Sequence, residues 1–112
     1  MGKTAFLFAG QGAQYTGMGK ELCEISGDAA QVFATADKIR PQTSFQCFEG
    51  SGELLAQTEN TQPCVYCTDL AAAMALQQAG IEAQGVAGFS LGEVAALTFA
   101  AAVPYLWLSG AF

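Results

Sequence analysis

In residues 85–102, GVAGFSLGEVAALTFAAA, a serine stands between two glycines where a short apolar run meets an alanine-rich stretch. Val86–Gly88 reads as a buried strand, and Leu91–Ala102 as a helix leading away from it. A Gly-x-Ser-x-Gly turn at such a junction forces the serine into a strained backbone conformation. Its flanking glycines, here Gly88 and Gly92, remove side chains that would collide with neighbouring backbone. The Ser90 hydroxyl then projects at a helix N-terminus, where the Leu91 N–H lacks a helical partner and can face a developing oxyanion. The plainer reading is a turn serine that only caps the helix.

The rest of the chain decides how such a turn is supported. Thr4–Ala9 (TAFLFA) is an apolar run ending in Gly10-Gln11-Gly12, the pattern of a buried strand followed by a tight turn. Residues 13–25 are mixed, with Gly17 and Gly19 loosening any helix there. Asp28–Ile39 has helical spacing at Ala29, Val32, Phe33, Ala36 and Ile39, with Ser26 or Asp28 as cap and Pro41 as terminator. Residues 42–60 read as loop with at most one helical turn. A strong helix follows, with Thr61 as N-cap, Pro63 in its first turn and Gly80 as its stop. Strand, helices, strand, helix is the order of a parallel sheet with helices on both faces, a three-layer α/β core. No internal repeat or linker divides the 112 residues, so a single domain over 1–112 is expected.

Parallel neighbouring strands would bring the two turns to the same sheet edge. The Gln11 N–H would then face the Leu91 N–H across a carbonyl under attack by Ser90. Taken alone, Gly10-Gln11-Gly12 is equally a plain tight turn. It lacks the lysine of a phosphate-binding P-loop and the full dinucleotide-binding glycine spacing.

Charge excludes several function classes. All four basic residues, Lys3, Lys20, Lys38 and Arg40, lie in the first forty, and the net charge is −6. A nucleic-acid surface needs clustered lysine and arginine, so none is expected. Charged residues are only 12% of the chain and apolar ones 52%, which suggests that other protein covers part of the surface. Residues 94–112 are uncharged, but Pro104 and the many small residues favour a buried helix with an irregular end over a membrane span. The amino terminus has no signal-peptide layout, and a cytoplasmic location is expected. Cys64-x-x-Cys67 falls in an expected helix with no second pair and no histidine, so Cys23, Cys47, Cys64 and Cys67 read as apolar filler, with no metal site.

Three motifs occur in order: FLFAGQGAQYTGMG (6–19), NTQPCVYCTDLAAAMAL (60–76) and GFSLGEVAAL (88–97). Together they resemble the amino-terminal part of the malonyl-CoA:acyl carrier protein transacylases, the acyltransferases that also supply domains to fatty-acid and polyketide synthases. The resemblance implies that Ser90 attacks malonyl-CoA and that acyl carrier protein receives the malonyl group, with no cofactor. It implies that the amides of Gln11 and Leu91 form the oxyanion hole, with Gln62, Gly88 and Gly92 in support. The family usually has histidine where Phe89 stands, and Phe89 is expected to do no chemistry.

The departures matter as much. The family's general base is a distant histidine, and an arginine beyond the elbow helix binds the substrate carboxylate. This chain has no histidine and no basic residue after Arg40. The smaller ferredoxin-like subdomain is also missing, and VPYLWLSGAF (103–112) departs from the family pattern. A truncation is expected, through a shifted frame or another cause, leaving a carboxy-terminal segment as the absent partner. Glu93 lies too close in sequence to be assumed as a replacement base. The isolated chain is expected to be a very weak catalyst. Two other classes share parts of the pattern. One is a serine hydrolase of the α/β-hydrolase or patatin type, using water as acceptor. The other is a non-catalytic module that binds CoA thioesters, carrier protein or a complementing segment.

Overall fold

Alternation sets the first strand. In β1 (Ala5–Phe8), Phe6 and Phe8 point into the core, while Leu7 between them is 81% exposed. The computed structural model describes residues 2–108, with side chains described through residue 101. Strand β2 (Gly85–Gly88) pairs with β1 in parallel, from Ala5 opposite Gly85 to Phe8 opposite Gly88. Parallel neighbours need a long crossover, and here it is built of helices. They are α1 (Lys20–Ile25), α2 (Gly27–Ile39), α3 (Thr43–Glu49), α4 (Gly52–Ala56) and α5 (Thr58–Gln78). Helix α6 (Gly92–Leu108) leaves the end of β2.

Helix α5 lies between two cores. On one side Cys64, Cys67 and Ala71 pack with Met18, Phe33 and Leu55. On the other, Ala73 joins Phe6, Phe8, Ala95, Ala96 and Phe99. Phe99 of α6 holds both strand phenylalanines, with ring centroids 5.6 and 5.8 Å away. The Tyr66 hydroxyl donates to Thr98 Oγ1 at 3.0 Å and ties α5 to α6. These two helices cover the Phe6 and Phe8 face of the sheet. The thiols behave as apolar filler: Cys47, Cys64 and Cys67 are buried and free, and burial pushes the Cys67 thiol up to about 11.

Several elements differ from expectation. Residues 42–60 form α3 and α4 in place of a loop, since tertiary bonds hold what local periodicity does not announce. Asp37 accepts from the Ser44 N–H at 2.9 Å and from its hydroxyl, and Ser51 caps α4 by accepting the Leu54 N–H at 3.1 Å. Arg40 donates to Thr43 and Gln46 of α3 and to Asn60 of α5, joining three helices. Thr61 is not a cap: α5 begins at Thr58, and the Thr61 hydroxyl bonds to the carbonyls of Leu55 and Gln57. The mixed segment before residue 26 contains α1, entered through left-handed Gly17 and Gly19. Strand β2 is less buried than expected, with Val86 36% exposed, because the described residues place no helix over the Leu7 face. Helix α6 continues past Ala102 to Leu108, with no glycine to stop it before Gly110. The end of the expected irregular tail, 109–112, lies outside the described residues. Among the described residues no helix is long and apolar enough to cross a membrane.

Candidate active site

The backbone at the β2–α6 junction turns so sharply that side chains cannot fit inside it. A Cβ on Gly88 would lie 2.2 Å from the carbonyl carbon and oxygen of Gly92. One on Gly92 would lie 2.0 Å from the Phe8 carbonyl oxygen. Between them Ser90 is held at φ 55°, in the left-handed region that costs a non-glycine residue about 1–3 kcal/mol. The neighbouring bonds explain why it stays there. Phe89 N–H continues the sheet by donating to the Phe8 carbonyl at 3.1 Å, and Gly92 N–H closes the turn onto the Phe89 carbonyl at 2.9 Å. The strand and the helix therefore hold the serine from both sides.

The second turn packs against the first. A Cβ on Gly10 would meet the Phe89 carbonyl oxygen at 2.3 Å, so the Gly10-Gln11-Gly12 backbone lies directly against the elbow. Within it, Ala13 N–H donates to the Gly10 carbonyl at 3.3 Å and Gly12 N–H to Gln14 Oε1 at 2.7 Å. The Gln11 side chain reaches away to Thr58 Oγ1 at 3.2 Å, fastening the turn to the start of α5. Gln62 lies one helical turn beyond Thr58 on α5 and is exposed.

Donors are left over at this meeting of turns. Glu93 and Val94 donate their N–H groups to the carbonyls of Ser90 and Leu91 at 2.9 and 3.0 Å, so α6 begins tightly wound. Among the described residues, the N–H groups of Leu91 and Gln11 reach no protein acceptor. The Ser90 hydroxyl makes no hydrogen bond to the described residues either, so it does not cap α6. An exposed hydroxyl beside unpartnered amides can attack an electron-poor carbonyl whose oxygen those amides then receive. Sequence reading brought out Ser90, Leu91, Gln11, Gly88 and Gly92, which these two turns gather, while it missed Thr58 and Asp69. Asp69 sits inside the apolar stretch of α5, which was the signal for it. Burial pushes its carboxyl up to about 6, and the facing Ala9 N–H offsets part of that rise.

Comparison with known proteins decides what fold this elbow belongs to. Residues 5–105 match the acyl transferase domain family. The chain belongs to that family. It is 42% identical over 106 residues to the malonyl CoA-acyl carrier protein transacylase of Bacillus subtilis, a match covering 94% of this chain and 33% of that relative. The crystal structure of the malonyl CoA-acyl carrier protein transacylase of Clostridium perfringens superimposes with a TM-score of 0.83 at 38% identity, covering 93% of this chain and 33% of that one. A chain from the complex of a type II PKS acyl-carrier protein with its malonyl-transacylase superimposes with a TM-score of 0.80 at 32% identity, covering 88% of this chain and 33% of that one. The chain thus spans about a third of the length of these acyltransferases.

Proposed function

We propose that residues 1–112 form the amino-terminal part of a malonyl-CoA:acyl carrier protein S-malonyltransferase of fatty acid biosynthesis, with Ser90 as nucleophile. The observation that carries this reading is Ser90 at φ 55°, exposed and next to the unpartnered Leu91 amide. Ser90 Oγ attacks the thioester carbonyl of malonyl-CoA, and the amides of Gln11 and Leu91 receive the oxyanion. The carbon–sulfur bond breaks, CoA leaves as the thiol with the proton released from serine, and malonyl remains as an ester on Ser90. The phosphopantetheine thiol of an acyl carrier protein then attacks that ester, and serine regains a proton. The relative solved with its acyl-carrier protein supports this choice of acceptor. Gln62, near the start of α5, supports the acyl group, and no metal or cofactor enters. A cytoplasmic location accords with this chemistry.

The chain has no histidine to take the Ser90 proton. Water must serve instead, so acylation is slow and accelerates with pH without levelling near neutrality. Incubation with malonyl-CoA, digestion and mass spectrometry is the test. Malonyl is expected on the peptide holding Ser90 and absent in Ser90→Ala. Label on a cysteine, or none at any pH, would refute the assignment. Adding either pantetheine thiol or water alone then separates transfer from hydrolysis.

A further inference from the structure

The sheet ends on one side at β1, and the bonds that β1 makes to β2 show which of its groups face away. The Thr4 and Phe8 carbonyls accept from the Gln84 and Phe89 N–H groups at 2.8 and 3.1 Å. Peptide groups alternate between the two edges of a strand, so positions 4, 6 and 8 address β2. Ala5 and Leu7 turn their N–H and C=O groups to the outer edge, where no strand pairs with them among the described residues. Parallel sheets are covered on both faces, yet Leu7 also stands exposed on the face away from α5 and α6.

A floor runs beside that free edge. Asp69, Ala72, Ala73 and Leu76 are spaced to share one stripe of α5. Between this stripe and Ala5–Phe8 lies a groove of about 290 Å³. The lining side chains are apolar except for Asp69, whose Oδ2 is buried without a hydrogen-bond partner. An unpaired edge above an apolar floor suits an added strand, with main-chain bonds to hold it and a groove for its alternate side chains.

Family and charge select the occupant. The chain spans about a third of the acyltransferases it matches, so about two-thirds of such a protein lies outside the matched part. A second copy of the chain suits the edge less well. It would lay α5, which carries Glu59 and Asp69 and no basic residue, beside its own twin.

We propose that the outer edge of β1 and the groove beneath it seat an extended segment from the unmatched part of an acyltransferase, with a donor on that segment meeting Asp69. The chain captures that part even when it comes as a separate polypeptide. This rests on family membership and not on malonyl transfer.

The test is co-expression of the full chain with the part, about two-thirds, of the Bacillus subtilis relative that it does not match. A one-to-one complex is expected by size-exclusion chromatography with light scattering. In the ¹⁵N-labelled chain alone the Ala5 and Leu7 amides exchange quickly, and in the complex they slow by about tenfold or more. The Phe6 and Phe8 amides, bonded to β2, are slow in both. Leu76→Glu, at a partly exposed floor position, weakens capture by about tenfold or more, while Ile39→Glu on α2 leaves it unchanged. Asp69→Ala weakens it about tenfold by leaving the incoming donor unpaired. A folded part that forms no complex, or a complex with Ala5 and Leu7 still fast, overturns the proposal. So does equal capture by Leu76→Glu or Asp69→Ala, or a chain that dimerises alone with those amides protected. Where the separate part does not fold, one polypeptide with the chain replacing the matched region of the relative gives the same readout, and fast Ala5 and Leu7 amides there overturn the proposal too. Protected amides in a complex whose Ser90 takes no malonyl would refute the transferase and leave the docking edge standing.

Discussion

Two glycines of one strand–turn–helix unit should respond to alanine with opposite signs. At Gly92 the new Cβ would stand 2.0 Å from the Phe8 carbonyl oxygen, 2.7 Å from its carbon and 2.9 Å from the Ala9 oxygen. Ordinary contact begins near 3.4 Å, so β1 and α6 would have to part by more than an ångström. The obstructing atoms are backbone, and no rotamer change relieves them. Overpacking of this kind costs about 1–3 kcal/mol, and the rigidity of the crossing puts Gly92→Ala at the upper end. For a domain of this size that is a loss of roughly 10–20 °C in Tm. At Gly85 nothing lies within 4 Å of the added Cβ and φ is not in the left-handed region. Gly85→Ala only reduces the freedom of the unfolded chain, a gain of about 0.4–1 kcal/mol. Thermal and urea unfolding followed by circular dichroism at 222 nm measures both. A Gly92→Ala variant within 1 kcal/mol of wild type, or a Gly85→Ala variant as unstable as Gly92→Ala, would refute the close-crossing argument.

Ser90→Gly relieves the φ of 55° and should stabilise the fold by about 1 kcal/mol after glycine's own entropic cost, while abolishing malonylation; a lower Tm would mean that the turn stores no strain. The Asp69 carboxyl lies near 6 in the folded chain against an ordinary 3.8, so the folded state holds its proton more tightly than the unfolded one. Its contribution to stability is therefore fully present below about 4 and is lost as pH rises through 6. Discounted for a half-solvated group, the loss is about 1 kcal/mol, so Asp69→Asn should melt a few degrees above wild type at pH 8, with the gap closing toward pH 4. Parallel melting curves at every pH would sink that account.

The serine turn was legible because steric necessity writes it into glycine positions: Gly88, Gly92 and Gly10 stand where a Cβ would strike backbone. The parallel pairing of the two strands followed from the long helical crossover, and the Ser26 cap of α2 from local spacing, with its oxygen accepting the Ala29 N–H at 3.1 Å. What stayed hidden depends on partners distant in sequence. Helices α3 and α4 are short and polar, and Arg40, Asp37 and Asn60 hold them through side-chain bonds that no periodicity reveals. Thr61 beside Gln62-Pro63 has the local look of a cap, yet its hydroxyl turns back to the Leu55 and Gln57 carbonyls once α4 has packed against α5. Asp69 was not singled out, because a lone carboxylate in the apolar stretch of α5 does not announce that one of its oxygens is buried without a partner.

The arrangement also decides which part of catalysis the chain can hold by itself. In the proposed site the two oxyanion donors are main-chain amides, and their separation is set by glycine contacts between β1, β2 and the start of α6. Both donors are main-chain groups, so no side chain supplies a donor to that pair. The Ser90 hydroxyl, in contrast, is held by no side chain among the described residues. Activating it needs a base, and a missing base typically removes all but about 10³–10⁴ of the acceleration over water. That residue is the contribution of preorganised amides and binding, each amide being worth roughly 10²–10³. The measured excess of Ser90 malonylation over a solvent-exposed serine such as Ser51 therefore reports the amide pair together with binding. An excess near unity would mean that Gln11 and Leu91 do not converge on the acyl carbonyl, whatever the backbone crossing looks like.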